Sequence, residues 1–223
     1  MEDIAYNLIR SNRKTLALHL THEGIEVRAP LSCPISEIEA FIHSKRDWLI
    51  KKIAIMRKQI AEQNAYVLDY GSKILYRGKR YPIVASKQFG FEEKFLIPPG
   101  LPEEGIRHCC VHIYKYLAKI RFTARVTYFA DIMRVNPTAV KVNSARRRWG
   151  SCSGKKSINF SWRLVMASDR VIDYVVVHEL AHLLQMDHSA RFWGIVEAVI
   201  PDYVDRRTEL KEYAKVFAIE GWS

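Results

Sequence analysis

Between Val175 and Trp193 the chain reads VVVHELAHLLQMDHSARFW, and three of its eight histidines fall there. His178 and His182 stand four residues apart. On an α-helix that spacing puts both imidazoles on one face, one turn apart, where they can grip one metal ion. Glu179 directly follows the first. In an H-E-x-x-H helix such a glutamate lies beside the metal rather than binding it, placed to take a proton from a metal-activated water. Zn2+ suits imidazole donors, a chemistry without redox demand and a fourth position left for water. One zinc ion per chain is expected.

Hydrolytic zinc needs a third protein ligand, and Asp187, His188 and Glu197 are the candidates downstream. His188 comes six residues after His182. Were the helix to continue, those residues would advance it ~600° and ~9 Å, leaving His188 off the metal face and too far along. The helix must therefore stop near Gln185 and the chain must turn back. Asp187 suits a reversal because Asp tolerates the left-handed conformation. Ser189 can then cap a new helix, ARFWGIVEAVI, stopped by Pro201. The histidine spacing is that of the metzincin pattern H-E-x-x-H-x-x-G-x-x-H, with Gln185 in place of its glycine. Glu197 is the alternative third ligand, of the gluzincin type. A bare H-E-x-x-H arises by chance in helices. Here the apolar run RVIDYVVV before it and the third histidine beyond it argue for a metal centre.

The rest of the chain must hold this segment. Ser168 is an N-cap candidate for the helix, and Asp169 favours its positive end. Upstream, AVKVNSA alternates and SINFSW has strand composition, with Gly150 and Gly154 between them. An edge strand beside the cleft can pair with extended peptide, and Ser157 to Trp162 is expected to be that edge. Trp149 and Trp162 read as core aromatics. Cys152 reads as packing rather than nucleophile, since no base is evident beside it. The stretch from Pro102 predicts a long helix with acids in its first turn, ended by Pro137. His108 and His112 stand four apart on it, a second chelating pair with no other ligand nearby in sequence.

Farther back, KTLALHLTHEGIEVRAPLSC predicts a β-hairpin around Glu23-Gly24. The following stretch predicts one helix, with Ser36 as N-cap, Glu39 completing a capping box, and an apolar stripe from Ile38 to Ile60. From Tyr66 to Ile97 the chain turns β-rich, with a hairpin around Arg77-Gly78-Lys79 and a strand pair closed by Pro98-Pro99-Gly100. That stop divides the expectation: residues 1–100 as a β-hairpin and helix region, 101–223 as a zincin-like metal-dependent hydrolase domain. The fold class is α+β, with the H-E-x-x-H helix packed on a small sheet.

A chain of 223 residues can bury a sizeable core. Its net charge is +11, unevenly spread. Before Asp169 there are 29 basic and 14 acidic residues (+15), and from Asp169 onward 6 and 10 (−4). The stretch VKVNSARRRWGSCSGKK holds no acid at all. A basic surface attracts nucleic acid, nucleotides, anionic lipid or acidic substrates. No Walker loop or nucleotide fingerprint accompanies it. The four cysteines form no C-x-x-C pair, and MEDIAYNLIRSNRK lacks a signal-peptide core, so reduced thiols and a cytoplasmic location are expected. No stretch reaches ~18 apolar residues, so no membrane span is expected.

Three stretches also carry a resemblance. RRRWGSC (Arg146 to Cys152), IDYVVVHELAHL (Ile172 to Leu183) and DHSARFW (Asp187 to Trp193) come in the order, and at about the spacing, of YgjP-like metal-dependent hydrolases. These are relatives of the SprT/Spartan proteases among the zincin metallopeptidases. GIEVRAP and KRDWLIKKI look like that family too, so the resemblance covers most of the chain. It implies a zincin-type catalytic domain with His178, His182 and His188 as zinc ligands and Glu179 as general base. It leaves the substrate open between peptides and nucleotides. SprT-type proteins act on DNA-bound protein, usually through added segments not evident here.

The expected function is that of a zinc-dependent metallopeptidase acting on a peptide or protein, with Arg148 and Tyr203 as candidate contacts to the transition state or substrate. One alternative is a metal-dependent nucleoside triphosphate (phosphoanhydride) hydrolase. Another is a non-catalytic zinc-stabilised DNA-binding module, against which an intact Glu179 argues.

Overall fold

The computed structural model describes residues 5–21 and 24–222. The chain divides into two compact units, Met1–Glu62 and Gln63–Ser223. The boundary expected at residue 100 is thus displaced. Pro98-Pro99-Gly100 does end a strand, but the core runs across it: Ile74, Ile83 and Phe95 share one cluster with Ile106, Ile113 and Phe160.

In the first unit, strands β1 (Tyr6–Ser11), β2 (Ala17–Thr21) and β3 (Gly24–Pro30) form a sheet of order β1-β3-β2. β2 and β3 pair antiparallel, as the expected hairpin requires, although its turn residues His22 and Glu23 lie outside the described residues. Strand β1, parallel to β3, is an addition to the sequence reading. Ile25, Val27 and Ala29 alternate along β3 and bury one face against Ile38, Ile42 and Leu49. The expected single helix is two, α1 (Ile35–Ser44) and α2 (Arg46–Ala65). Pro34 occupies the N-cap, so Ser36 lies inside the first turn and forms no capping box. At the break, the Ser44 hydroxyl donates to the Phe41 carbonyl at 2.7 Å, and the Lys45 amide closes a short turn onto Ile42. A serine competing for helix carbonyls in this way favours a helix end over continuation.

The second unit carries the histidine segment. Strands β4 (Lys73–Tyr76), β5 (Lys79–Ala85), β6 (Gly90–Phe91) and β7 (Phe95–Ile97) form a sheet of order β4-β5-β7-β6. The β4–β5 turn is Arg77-Gly78, both at positive φ (50° and 76°), the geometry that matches hairpin twist. The long helix α3 spans Glu103–Met133 and closes on Arg134, left-handed at φ 53°, ahead of the expected stop at Pro137.

A three-stranded sheet follows: β8 (Ala139–Asn143), β9 (Gly150–Cys152) and β10 (Ser157–Ser161), in the order β8-β10-β9. A buried 3-10 turn (Trp162–Met166) leads into α4 (Asp169–Ala181), then α5 (Ala190–Val199) and α6 (Tyr203–Ile219). Ser168 does occupy the N-cap of α4, but its hydroxyl donates to Glu209 at 2.6 Å instead of capping. Beyond Pro201 come α6 and the buried Trp222. Trp222 packs edge-on against Tyr114 and Trp162, and its carbonyl accepts from the Arg163 guanidinium. Each large side chain moved from water into this core contributes about 1.5–3 kcal/mol. The α+β class stands, with the H-E-x-x-H helix packed on a small sheet.

Candidate metal centre

Helix α4 is buried on nearly every side and lies against α3, α5, α6 and β9. Two arginines of α3 brace it: Arg121 meets Asp169 at 2.9 Å, and Arg125 forks onto Asp173 at 2.6 and 2.9 Å. Asp169 also takes both prongs of Arg77. Burial pushes the Asp169 carboxyl up. The Arg77 hydrogen bonds and the neighbouring charges outweigh that and hold it below its ordinary value. The helix is thus fixed at its N-terminal end and presents chemistry at its C-terminal end.

There α4 closes. His182 is its C-cap, and backbone turns through Leu184 end with the Gln185 amide on the Ala181 carbonyl. The chain then reverses, but not through a left-handed Asp187. Asp187 stays out of the positive-φ region and works through its side chain, Oδ1 accepting from the Ser189 amide (3.1 Å) and the Gln185 amide group (3.0 Å). This side-chain turn is how the chain manages without the glycine. Ser189 precedes α5 as N-cap, and Pro201 follows its end.

The reversal carries His188 back to the helix face. The ligand atoms of His178, His182 and His188 all lie within 4.8 Å of one another. Nε2 of His188 stands 3.2 Å from Nε2 of His178. Two nitrogens bound tetrahedrally to zinc at ~2.0–2.1 Å stand ~3.3 Å apart, so this edge has the right length for the ion. His182 Nδ1 lies 3.3 Å from the Gln185 carbonyl. A proton held there leaves Nε2 with its lone pair. Nδ1 of His178 is buried without a partner among the described residues. Burial, then the charges of His182 and His188, push His178 down to about 3, and burial lowers His182 as well. Neutral imidazoles are what a metal needs. The residues present fit a tetrahedral site with one position open.

Glu179 is buried on the β9 side of the helix. A Cβ on Gly150 would fall 2.5 Å from its Oε1 and 2.7 Å from its Cγ and Cδ, so any side chain there forces this carboxyl to shift. Burial pushes Glu179 up to about 8, against the pull of the Arg148 charge. Burial, and then the Glu179 charge, raise the Cys152 thiol, which keeps it protonated and suits packing rather than attack.

Several neighbours escaped the sequence reading. The fully buried ring of Phe192 lies 4.6–4.9 Å from all three imidazoles and floors the cluster. Its recurrence four residues after His188 on a new helix was the available signal. Trp193 tilts over His178 and His188 and stacks on Tyr203 at 5.3 Å, which places Tyr203 one ring removed from the histidines. Tyr174, one turn before His178, is buried with its ring 6.0 Å away. Arg207 sits over Trp193. Arg148 is exposed. Glu197 is exposed and outside the histidine group, and Asp187 is engaged in the turn.

The expected edge strand is corrected. β10 is central, paired parallel to β8 and antiparallel to β9. The strand beside Glu179 is β9, unread because Gly-Ser-Cys has little strand propensity. Ser153 donates to Ser157 (3.0 Å) and Ser161 to Trp149 (2.8 Å). By antiparallel alternation Ser151 also faces β10, while Gly150 and Cys152 turn their N–H and C=O groups outward. Those groups have no backbone partner among the described residues.

These observations fit a metallopeptidase. The chain belongs to the YgjP-like family, whose metallopeptidase domain matches residues 14–213. Membership makes it a metal-dependent hydrolase acting on peptide or protein. A solved structure, the crystal structure of the metallopeptidase zymogen of Pyrococcus abyssi abylysin, is similar over 40% of this chain and 90% of that chain, at 22% identity and a TM-score of 0.38. No curated protein matches. No described helix is long and apolar enough to cross a membrane.

Proposed function

We propose that the chain is a zinc peptidase in which His178, His182 and His188 hold the metal and Glu179 is the general base. The observation that carries this reading is the convergence of three imidazoles beside a buried carboxyl lodged against Gly150. Zinc supplies the Lewis acidity that polarises a peptide carbonyl and makes water acidic enough to ionise near pH ~7. Glu179 takes a proton from the attacking water and returns it to the departing amine. Phe192 and Trp193 wall the histidines with apolar surface and limit water around them. Arg148 and Tyr203 are the candidates for steadying the oxyanion.

The test incubates zinc-loaded protein and its Glu179→Gln variant with an unfolded protein and counts fragments by mass spectrometry. Fragments from the parent alone support the reading. Equal fragmentation by both would remove Glu179 from the mechanism. The same pair incubated with nucleoside triphosphates reads the phosphoanhydride alternative.

A further inference from the structure

The loop that enters β9 is Ser144–Trp149, and it carries three consecutive arginines, Arg146, Arg147 and Arg148. All three are exposed, and none has a carboxylate partner among the described residues. This sets them apart from the arginines that brace the same unit. Arg77, Arg121, Arg125 and Arg206 each close on an aspartate at 2.5–2.9 Å. The free arginines lead directly into β9, where Gly150 and Cys152 turn their N–H and C=O groups outward and Gly150 packs against Glu179. An extended chain paired with that edge runs past the arginines within a few residues of the bond presented to Glu179, since each residue advances ~3.3 Å.

Resting on the peptidase reading above, we propose that Arg146 and Arg147 determine specificity, selecting substrates that carry Asp or Glu side chains within about three residues of the scissile bond. The guanidinium fork matches a carboxylate in geometry, and loop arginines without internal partners give up no ion pair to receive one. Arg207, placed over Trp193, extends the positive character around the histidines. The open strand edge favours an acidic peptide over nucleic acid as the occupant, because its backbone groups pair with peptide and not with phosphodiester.

The test uses the zinc-loaded full chain in the Glu179→Gln background. Short labelled peptides, identical except for Glu, Gln or Lys at alternate positions, are titrated and read by fluorescence anisotropy. The Glu peptide should bind about tenfold more tightly than the Lys peptide, through two or three ion pairs of surface strength, and the gap should narrow with salt. Arg146→Glu/Arg147→Glu should reverse the order. Arg146→Gln/Arg147→Gln, which keeps bulk and polarity, should level it. Equal affinity for the Glu and Lys peptides would overturn the proposal. So would a single-stranded oligonucleotide whose binding is lost in the double-Glu variant while peptide binding is unchanged. The binding arm decides this proposal even where the parent chain cleaves none of the peptides, an outcome that would instead overturn the peptidase reading.

Discussion

Two helices of this molecule carry histidines four residues apart, and they come to different ends. On α3, His108 and His112 point outward from the early turns of a 31-residue helix, and both are exposed. His112 has the ring of Phe89 5.7 Å away and no third ligand in reach among the described residues. On α4, His178 and His182 stand in the last turns, where the chain stops, reverses through Asp187 and delivers His188. Identical spacing gives each pair the same grip. What separates them is the helix end. A long uninterrupted helix carries its neighbours away along its axis, whereas a terminated one lets the chain return.

The sharpest way to break this comparison is to remove chemistry without removing the grip. Glu179→Gln should lower peptide turnover by about 10²–10⁴-fold while zinc content, read by elemental mass spectrometry, stays at the parent value. Next, His188→Ala should lose most of its zinc, while His108→Ala/His112→Ala should match the parent. Zinc lost from the α3 double variant would mean that spacing alone suffices. Gly150→Ala should destabilise by about 1–3 kcal/mol in thermal melts, because the new methyl group overlaps Glu179, and should lower turnover further than that loss explains. Asp187→Ala removes two hydrogen bonds from the reversal. It should cost about 1 kcal/mol and weaken zinc binding, whereas an unchanged zinc affinity would show that the turn holds His188 without it.

The smallest effect concerns the braces that join the two helices. Asp169 titrates below its ordinary value, so its contribution to stability is present above the unfolded pKa of about 3.9 and is lost as the pH falls through the lower folded value. Melting temperatures of the parent and Asp169→Asn should therefore converge in acid and separate by a few degrees near neutrality. A constant gap across that range would remove the charge from the account.

Much of the candidate centre was legible because its signals are local. The H-E-x-x-H spacing, the need to reverse before His188 and the Ser189 start of α5 all follow from helix geometry over a dozen or so residues. The Arg77-Gly78 hairpin was legible for the same reason. The parts that were not legible depend on contacts distant in sequence. β9 is a strand because β10 pairs with it, not because Gly-Ser-Cys prefers to be one. The unit boundary falls at Glu62 because the β4–β7 sheet shares a core with α3, which no turn signal at Pro98 reveals. The break at Lys45 hid inside a continuous apolar stripe. Phe192 looked like an ordinary helix residue until the reversal brought it beneath the histidines.

Gly150 and Glu179 raise a matter of inheritance. The carboxyl occupies the volume that a side chain at position 150 would need. The two positions are coupled: a methyl group at 150 forces the Glu179 carboxyl to shift. A shorter acid could offset the methyl group, so Glu179→Asp should be less harmful in a Gly150→Ala background than in the parent. Such a pair shows epistasis of magnitude, in which the cost of one substitution depends on the residue at the other position. Descendants of this chain pay least when these two sites change together.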